Sequence, residues 1–527
     1  MISSTSKHAE QLAQTAFAMT DRPSAEIWAL SITSSGIGVT AMSLDAHYRA
    51  YFEPWASTDP IALTTAQTFY NTLNTLFEQL GQNADPPLAI CLSACTTAGF
   101  VDKYGQLMSP IYLETPTPMP RRDVPECFAD DPTLFAVYRN SLMRRLQNVS
   151  PTTWPDDIGL STAAGCLIRA LTGAHLDAMV PLGTPDAYPW AYHELREMYF
   201  RALGVNAQNS VARTRAGYAV AMVSEVEPLP RDAAILEAWR HKLVGIPIFH
   251  TGTATAAAAY ACAADPLSWS CVFGWQTSAH WTASHSACAA YEISIQDTKT
   301  DTDIKNSTPD DDTHALTRDE WTRYLSNILP LEAEYGARRN DLAYGMTSPS
   351  YRTYLLRLAE QQTRELFTQL SQTPPRFAED LLTLAPLGSA GLHIWSANDA
   401  IQIAGIQPAH TPAHFFRAIF ESQAYAIRAW REMTHLDGLG PIRAAFEPPW
   451  DISCAQILSD ILETTVITPD VNYATLAAIG TAIALMRDLN ITTPDAKPHL
   501  DAYEIHPSQS ANYYRAHAQI HALLSKG

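Results

Sequence analysis

The chain has 527 residues, more than a single hydrophobic core usually serves, so two or more domains are expected. It carries 54 Asp and Glu residues against 35 Lys and Arg, a net charge of −19. A surface this acidic repels nucleic acid and anionic lipid, and no apolar run reaches the length of about 18 residues that a membrane span needs, so neither partner is expected.

Cysteine usage and the N-terminus indicate the compartment. The 8 cysteines form no CxxC pair, and most have apolar neighbours, which favours buried free thiols in a reducing environment. Residues 1–20 lack the apolar segment of a secretory signal. His250, His280 and His285 have a spacing that matches no tetrahedral metal site, so we expect no metal held by such a motif. We predict a cytoplasmic protein, with a homodimer as one assembly open to it.

The first hundred or so residues predict a sheet with one crossover helix. The helix spans 64–80, because Phe69, Leu73 and Leu76 recur on one face. A Ser/Gly turn at 33–38 separates the first two strands. Strands are predicted at 27–32, 39–44, 48–52, 88–93, 98–101 and 111–113.

The rest of the chain predicts helices first and then a second mixed region. Residues 130–240 are mostly helical, including 157–172 and 190–203. A strand at 246–250 is predicted to begin a second lobe. Three further elements follow: an alanine-rich helix at 253–264, a strand at 271–274 and a helix at 412–433.

These elements divide the chain into two lobes with flanking segments. We predict a polar leader at 1–23, an N-terminal lobe at 24–243 and a C-terminal lobe at 244–490, followed by a closing tail at 491–527. A polar run at 296–313 is typical of a disordered surface insertion in the second lobe. A cleft between two lobes is where a small ligand usually binds.

Residues 31–38 (SITSSGIG) have the outline of the nucleotide turn of short-chain dehydrogenases. Ile32 stands where that turn needs its first glycine, which blocks close approach to a pyrophosphate. The next residues predict a strand and not the helix whose N-terminus would bind phosphate. No Tyr in the chain is followed four residues later by the Lys that this chemistry needs. A hairpin turn wrapping a phosphate fits the segment better.

The remaining motifs resemble, in order and spacing, those of the FGGY carbohydrate kinases, most closely the xylulokinase-like members. The segments that carry the resemblance span nearly the whole chain, and they are 245–249 (GIPIF), 251–253 (TGT), 275–278 (WQTS), 410–421 (HTPAHFFRAIFE), 456–462 (QILSDIL), 478–482 (AIGTA) and the ending 507–524. The resemblance implies an α/β fold of two actin-like (RNase H-like) lobes of the ASKHA type, closing on ATP with Mg²⁺ and on a sugar or polyol.

The resemblance also implies roles for individual residues. Asp177, which follows the Leu171-Thr172-Gly173 motif, corresponds to the base that takes the proton of the sugar hydroxyl; a surface or capping aspartate is the other interpretation. The implied substrate-binding residues are Cys95, Thr96, Tyr112 and Glu114. The implied nucleotide-binding residues are Ser35, Gly36, Thr277, Ser278, Gln456 and Asp460.

Several positions depart from the family pattern. Thr33 stands in place of the Asp that orders Mg²⁺, and Ala254 in place of a second-lobe Asp. Gln276 replaces a glycine, and 446–448 (FEP) replace the glycine run on the adenosine side, where side chains should fill the space of the nucleotide. Two hypotheses therefore remain open. One is a divergent ATP-dependent carbohydrate kinase; the other is an inactive protein of the same fold that senses a ligand or binds a protein partner.

Overall fold

The computed structural model describes the parts of the chain that form the sheets and their covering helices. The described residues are 25–56, 62–81, 85–95, 97–113, 157–178, 205–206, 209–210, 212–214, 219–225, 229–262, 269–273, 279–282, 343–346, 382–384, 402–404, five positions between 420 and 428, 441–447, 452–488, 500–514 and 518.

Twenty strands are found among these residues. In chain order they are β1 (Glu26–Ile32), β2 (Gly36–Ser43), β3 (Tyr48–Pro54), β4 (Ala62–Thr64), β5 (Ala89–Ala94), β6 (Thr97–Val101), β7 (Ile111–Leu113), β8 (Gly159–Ser161), β9 (Leu176–Ala178), β10 (Ala212–Thr214), β11 (Ala219–Met222), β12 (Pro247–Thr253), β13 (Trp269–Phe273), β14 (Ala279–Thr282), β15 (Ala343–Met346), β16 (Leu382–Leu384), β17 (Gln402–Ala404), β18 (Ile442–Phe446), β19 (Val466–Pro469) and β20 (Ala502–Ile505).

The same residues contain six α-helices and two short 3₁₀ helices. The α-helices are α1 (Ala66–Gly81), α2 (Ala163–Thr172), α3 (Glu237–Lys242), α4 (Ala254–Cys262), α5 (Ser453–Leu462) and α6 (Tyr473–Asp488). The 3₁₀ helices are Arg231–Leu236 and Ser510–Tyr513. Within the part of the chain described here, no helix combines the length and apolarity that crossing a bilayer would require.

Two six-stranded sheets repeat one pattern of strand directions. In the first, ordered β11-β12-β5-β1-β2-β3, the β1–β2–β3 meander is antiparallel and β1, β5 and β12 are parallel. In the second, ordered β15-β14-β13-β18-β19-β20, β13–β14–β15 form the antiparallel meander and β13, β18 and β19 are parallel. At the end of each sheet beyond the parallel strands, the outermost strand (β11 in the first sheet, β20 in the second) is antiparallel to its neighbour. Parallel neighbours need crossover connections, and helices are the usual form of such a connection.

The two faces of the first sheet face different helices, because side chains alternate along each strand. On β1, Trp28 and Leu30 lie in a core with α1 and α2. Ile27 and Ala29 of the same strand lie in a second core with α4 and α6. This second core also contains Ala445 of β18, so apolar packing continues from the first sheet to the second.

Small residues allow α6 to lie close to the first sheet and to α4. A Cβ atom on Gly38 of β2 would be 2.2 Å from the carbonyl oxygen of Ala474 at the start of α6. One on Gly480 would be 1.7 Å from the carbonyl oxygen of Ala257 in α4. The hydroxyl of Thr481 lies 2.7 Å from that of Ser93 on β5, so α6 crosses the sheet from β2 to β5.

Most of the predicted elements near the N-terminus are confirmed, and one helix further along begins later than predicted. The predicted helix at 157–172 begins at Ala163, because 159–161 pair as β8 and the Thr162 side chain caps the helix by accepting from the Gly165 N–H. The strand predicted at 246–250 is confirmed as β12, which pairs with β5 inside the first sheet, and the division of the chain into lobes stays a prediction. The helix predicted at 190–203 and the polar run at 296–313 lie outside the described residues.

Candidate active site

The candidate site is built around the turn between β1 and β2. Thr33 closes this turn: its N–H donates to the carbonyl of Gly36 at 2.9 Å, and its hydroxyl donates to the same oxygen at 2.9 Å. The N–H groups of Ser35 and Gly36 both lie 3.3 Å from the Thr33 hydroxyl oxygen. The two residues predicted to hold phosphate therefore direct their N–H groups into the turn itself.

Ser34 has the N–H that faces away from the turn, and a carboxylate already accepts from it. Its N–H donates to Oε1 of Glu447 at 3.1 Å, and its hydroxyl donates to the same oxygen at 2.5 Å. Glu447 directly follows β18 of the second sheet and is only 3% exposed. The contact joins residues 413 positions apart in the chain and brings the ends of β1 and β18 together.

The turn has no room for a larger residue at its exit. A Cβ atom on Gly36 would lie 2.3 Å from the carbonyl oxygen of Glu53 and 2.8 Å from the Cα atom of Pro54, both on β3. Backbone atoms cannot move aside as a flexible side chain can. Gly36 therefore fixes the shape of the turn through the close approach of β3.

Cys95, predicted to contact the sugar, lies beside this turn. It follows β5, and its N–H donates to the carbonyl of Ile32 at 2.7 Å, one residue before Thr33. Burial raises the pKa of the Cys95 thiol well above its ordinary value, and the negative charge of Glu447 raises it further. The structure thus brings a predicted substrate residue and the predicted phosphate turn to the same sheet edge, while Thr96 lies outside the described residues.

The other predicted substrate residues lie on an adjoining sheet or outside the described residues. Tyr112 is in β7, opposite Ala98 of β6 and Ala62 of β4, and it is 9% exposed. Glu114 lies outside the described residues.

The backbone of Asp177, the predicted base, lies in the short strand β9. It follows α2, whose C-terminus is capped by Gly173 in the left-handed conformation with φ 74°. Asp177 pairs with Arg213 of β10, and β9 contacts β11 and β12 at the edge of the first sheet. The Leu-Thr-Gly motif therefore forms the C-terminal end of α2, and Asp177 lies four residues later in a strand beside the first sheet. Its role as a base stays a prediction.

Two predicted nucleotide residues, Gln456 and Asp460 of α5, bind the C-terminal segment. Oδ1 of Asp460 accepts from the N–H groups of Ser508 at 2.5 Å and Gln509 at 2.9 Å. The Gln456 amide donates to the carbonyl of His506 at 3.0 Å. These contacts hold the turn before the last 3₁₀ helix. Thr277 and Ser278 lie outside the described residues.

The donors of the turn fit an anion, as the Glu447 carboxylate shows by accepting from both the N–H and the hydroxyl of Ser34. A phosphate oxygen of ATP makes the same kind of bond to a backbone N–H. The residues around the turn fit magnesium less well than they fit an anion. Thr33 supplies a hydroxyl where the family has a carboxylate, Ala254 is a buried first residue of α4, and within the described ranges no three His, Cys, Asp or Glu side chains are grouped to hold an ion.

The position of Glu447 at this site is the feature that motif comparison missed. The sequence showed only that side chains replace a glycine run at 446–448. The available signal was Glu447 itself, an acidic residue in a segment whose counterpart in the FGGY kinases approaches the nucleotide. Its partner is unpredictable from sequence, because Ser34 lies at the other end of the chain.

Solved structures of sugar kinases share this fold. A xylulose kinase from Brucella ovis superposes with a TM-score of 0.55 at 13% identity, covering 95% of this chain and 99% of that one. A gluconate kinase from Lactobacillus acidophilus gives a TM-score of 0.52 at 13% identity, and a xylulose kinase from Rhodospirillum rubrum gives 0.51 at 14%; each covers 95% of this chain and 98% of its own. No family model matches the chain, and no curated protein matches it in sequence. Across nearly its whole length, the chain therefore has the fold of the sugar kinases.

Proposed function

We propose that the protein is a divergent carbohydrate kinase of the FGGY type, which transfers the γ-phosphate of ATP to a hydroxyl of a sugar or polyol. The observation that carries this proposal is the anion-holding turn at the end of β1, in a fold shared with sugar kinases over 95% of the chain. Fold alone does not fix activity, so the turn is the decisive feature.

The proposal gives each part of the site a task. The Ser34 N–H and the turn closed by Thr33 hold phosphate, and bound ATP supplies the phosphoryl group. Asp177 accepts the proton of the attacking hydroxyl. Cys95 and Tyr112, with Thr96 and Glu114, form the side of the site that holds the sugar or polyol. We further infer that the two sheets belong to two lobes that close over this site, the first lobe extending through β12.

The test combines binding with turnover. Thermal unfolding of the purified chain is followed with Mg-ATP alone and with pentoses, hexoses and polyols, and ADP release is measured for the same panel. Nucleotide should raise the unfolding temperature, because a ligand that binds only the native state stabilises it. One class of acceptor should release ADP. The absence of both effects at millimolar ligand would contradict the proposal.

Replacing the proposed base provides the matched comparison. Asp177→Asn should lower kcat by a factor of about 10² or more, the scale of a general base, while leaving the stabilisation by nucleotide unchanged. Asp157→Asn makes the same chemical change at a half-exposed carboxylate that pairs with Lys103 at 3.4 Å. This control should retain its rate. Equal kcat values for the two variants would show that Asp177 is not the base of the reaction.

A second candidate function is favoured by the internal contacts of the predicted nucleotide residues. The turn holds Glu447, and Gln456 and Asp460 hold the C-terminal turn. A protein of this fold that binds a sugar or polyol without catalysis would show stabilisation by that ligand and none by Mg-ATP. The thermal panel therefore separates the two candidates directly.

A further inference from the structure

The contact between Ser34 and Glu447 is a built anion site whose occupant belongs to the chain. Both donors of Ser34 converge on a single oxygen, Oε1, at 3.1 Å and 2.5 Å. Glu447 is 3% exposed, so its carboxylate is largely removed from water. A buried carboxylate requires hydrogen-bond donors, and the outward N–H of this turn is one of them.

A phosphate group would need the same donor. Two anions cannot share one N–H, and like charges repel more strongly where water is excluded. The remaining N–H groups of the turn, those of Ser35 and Gly36, are directed at the Thr33 hydroxyl. A phosphate oxygen and the Glu447 carboxylate must therefore compete for the same donor, the outward N–H of Ser34.

We propose that Glu447 is an internal competitor for phosphate, whose carboxylate occupies the anion position of the β1–β2 turn and must leave before a nucleotide phosphate binds there. This inference rests on the proposed function, because it concerns the same site. It assigns Glu447 as a residue that sets the affinity and selectivity of the site for phosphate-bearing ligands.

The competition also couples nucleotide binding to the arrangement of the two sheets. Ser34 belongs to the first sheet's turn and Glu447 to the end of β18 in the second sheet, so their bond ties the two ends together. A phosphate that displaces the carboxylate breaks this tie. A change that favours the displaced position of Glu447 must then favour phosphate binding. By linkage, phosphate binding must favour the displaced position of Glu447 to the same extent.

The experiment compares Glu447→Gln with the wild-type chain by calorimetric titration. Three probes are used: Mg-ATP, inorganic tripolyphosphate, and adenosine, which carries no phosphate. Removing the charge should tighten binding of ATP and tripolyphosphate by about 10- to 100-fold, the factor that corresponds to one hydrogen bond to a charged group. Adenosine should bind both proteins equally.

Two further variants keep the result interpretable. Glu504→Gln removes the same charge at an exposed position on β20 of the second sheet, and it should change none of the affinities. Ser34→Ala removes the hydroxyl that binds Glu447 and keeps the N–H for phosphate, so it should tighten tripolyphosphate binding by a few-fold. It tests the same contact if Glu447→Gln fails to fold.

The outcomes separate this inference from the proposed kinase activity. Equal affinities for tripolyphosphate in the wild type and both site variants, with sugar phosphorylation present, would overturn the competitor and leave the kinase. Tighter binding in the variants without transfer to any acceptor would support the competitor and contradict the kinase. Absence of tripolyphosphate and ATP binding from every variant would overturn both.

Discussion

Gly480 in α6 is the position where one added methyl group should have the clearest effect. Gly480→Ala would place a Cβ atom 1.7 Å from the carbonyl oxygen of Ala257 and 3.2 Å from the amide nitrogen of Ala261, both in α4. These are backbone atoms, so the two helices must separate. The packing between α4 and α6 belongs to the core that joins the two sheets, and the strain should therefore spread to both.

Two effects of opposite sign determine the size of the change. Alanine is favoured over glycine inside a helix by about 1 kcal/mol, which alone would stabilise the variant. Overpacking a dense core costs about 1–3 kcal/mol and occasionally more. A contact as short as 1.7 Å belongs at the upper end of that range, so we expect a net loss of about 1–2 kcal/mol.

Thermal unfolding measures this loss. For a domain of about 150–250 residues, a loss of about 1–2 kcal/mol in the free energy of unfolding lowers the unfolding temperature by about 2–8 °C. Gly245→Ala serves as a comparison for backbone strain without a clash: nothing lies within 4 Å of its added Cβ, so any loss of stability comes from the φ of 83° alone. If Gly480→Ala unfolds at or above the wild-type temperature, the close packing of α4 against α6 is wrong.

Three further predictions concern buried polar groups. Thr481→Val should destabilise the chain by about 1–2 kcal/mol in thermal unfolding, because it removes the hydroxyl that lies 2.7 Å from that of Ser93; an unchanged stability would show that the contact contributes nothing. Asp460→Ala should speed proteolysis and amide exchange at 508–509, which lose their acceptor, and unchanged exchange there would refute that anchoring role. Burial raises the pKa of Cys262 to about 12, and since the thiolate is the nucleophile, this thiol should resist alkylation at pH 8–9 until the protein is denatured; labelling of the native chain would contradict its burial.

Local sequence signals predicted the elements of the first sheet well. Short apolar runs on either side of a Ser/Gly turn define β1 and β2, which are buried on both faces, and the helical spacing of Phe69 and Leu73 defines α1, where both side chains are buried. The true start of α2 was also encoded locally, because Thr162 is a good N-cap residue and its side chain accepts from the Gly165 N–H. The helical prediction failed there because apolar spacing outweighed the cap.

Long-range pairing set the limit of what sequence could predict. Nothing in residues 247–253 tells that β12 pairs with β5 and not with a strand that follows it, since both sheets use buried parallel strands. The same holds for the candidate site. Local signals predicted a turn at 33–38, and a turn closed by Thr33 and Gly36 joins β1 and β2 there, while its role in phosphate binding stays a prediction. The bond from Ser34 to Glu447 depends on how two distant strand ends meet.

Transfer of label from ATP tests the central claim most directly. The wild-type chain is incubated with Mg²⁺, ATP labelled at the γ-phosphate and the sugar and polyol panel, and the products are separated. We predict that label moves to one class of acceptor and that Asp177→Asn nearly abolishes this transfer. Label that stays in ATP or appears only as inorganic phosphate, across the whole panel, would contradict a carbohydrate kinase.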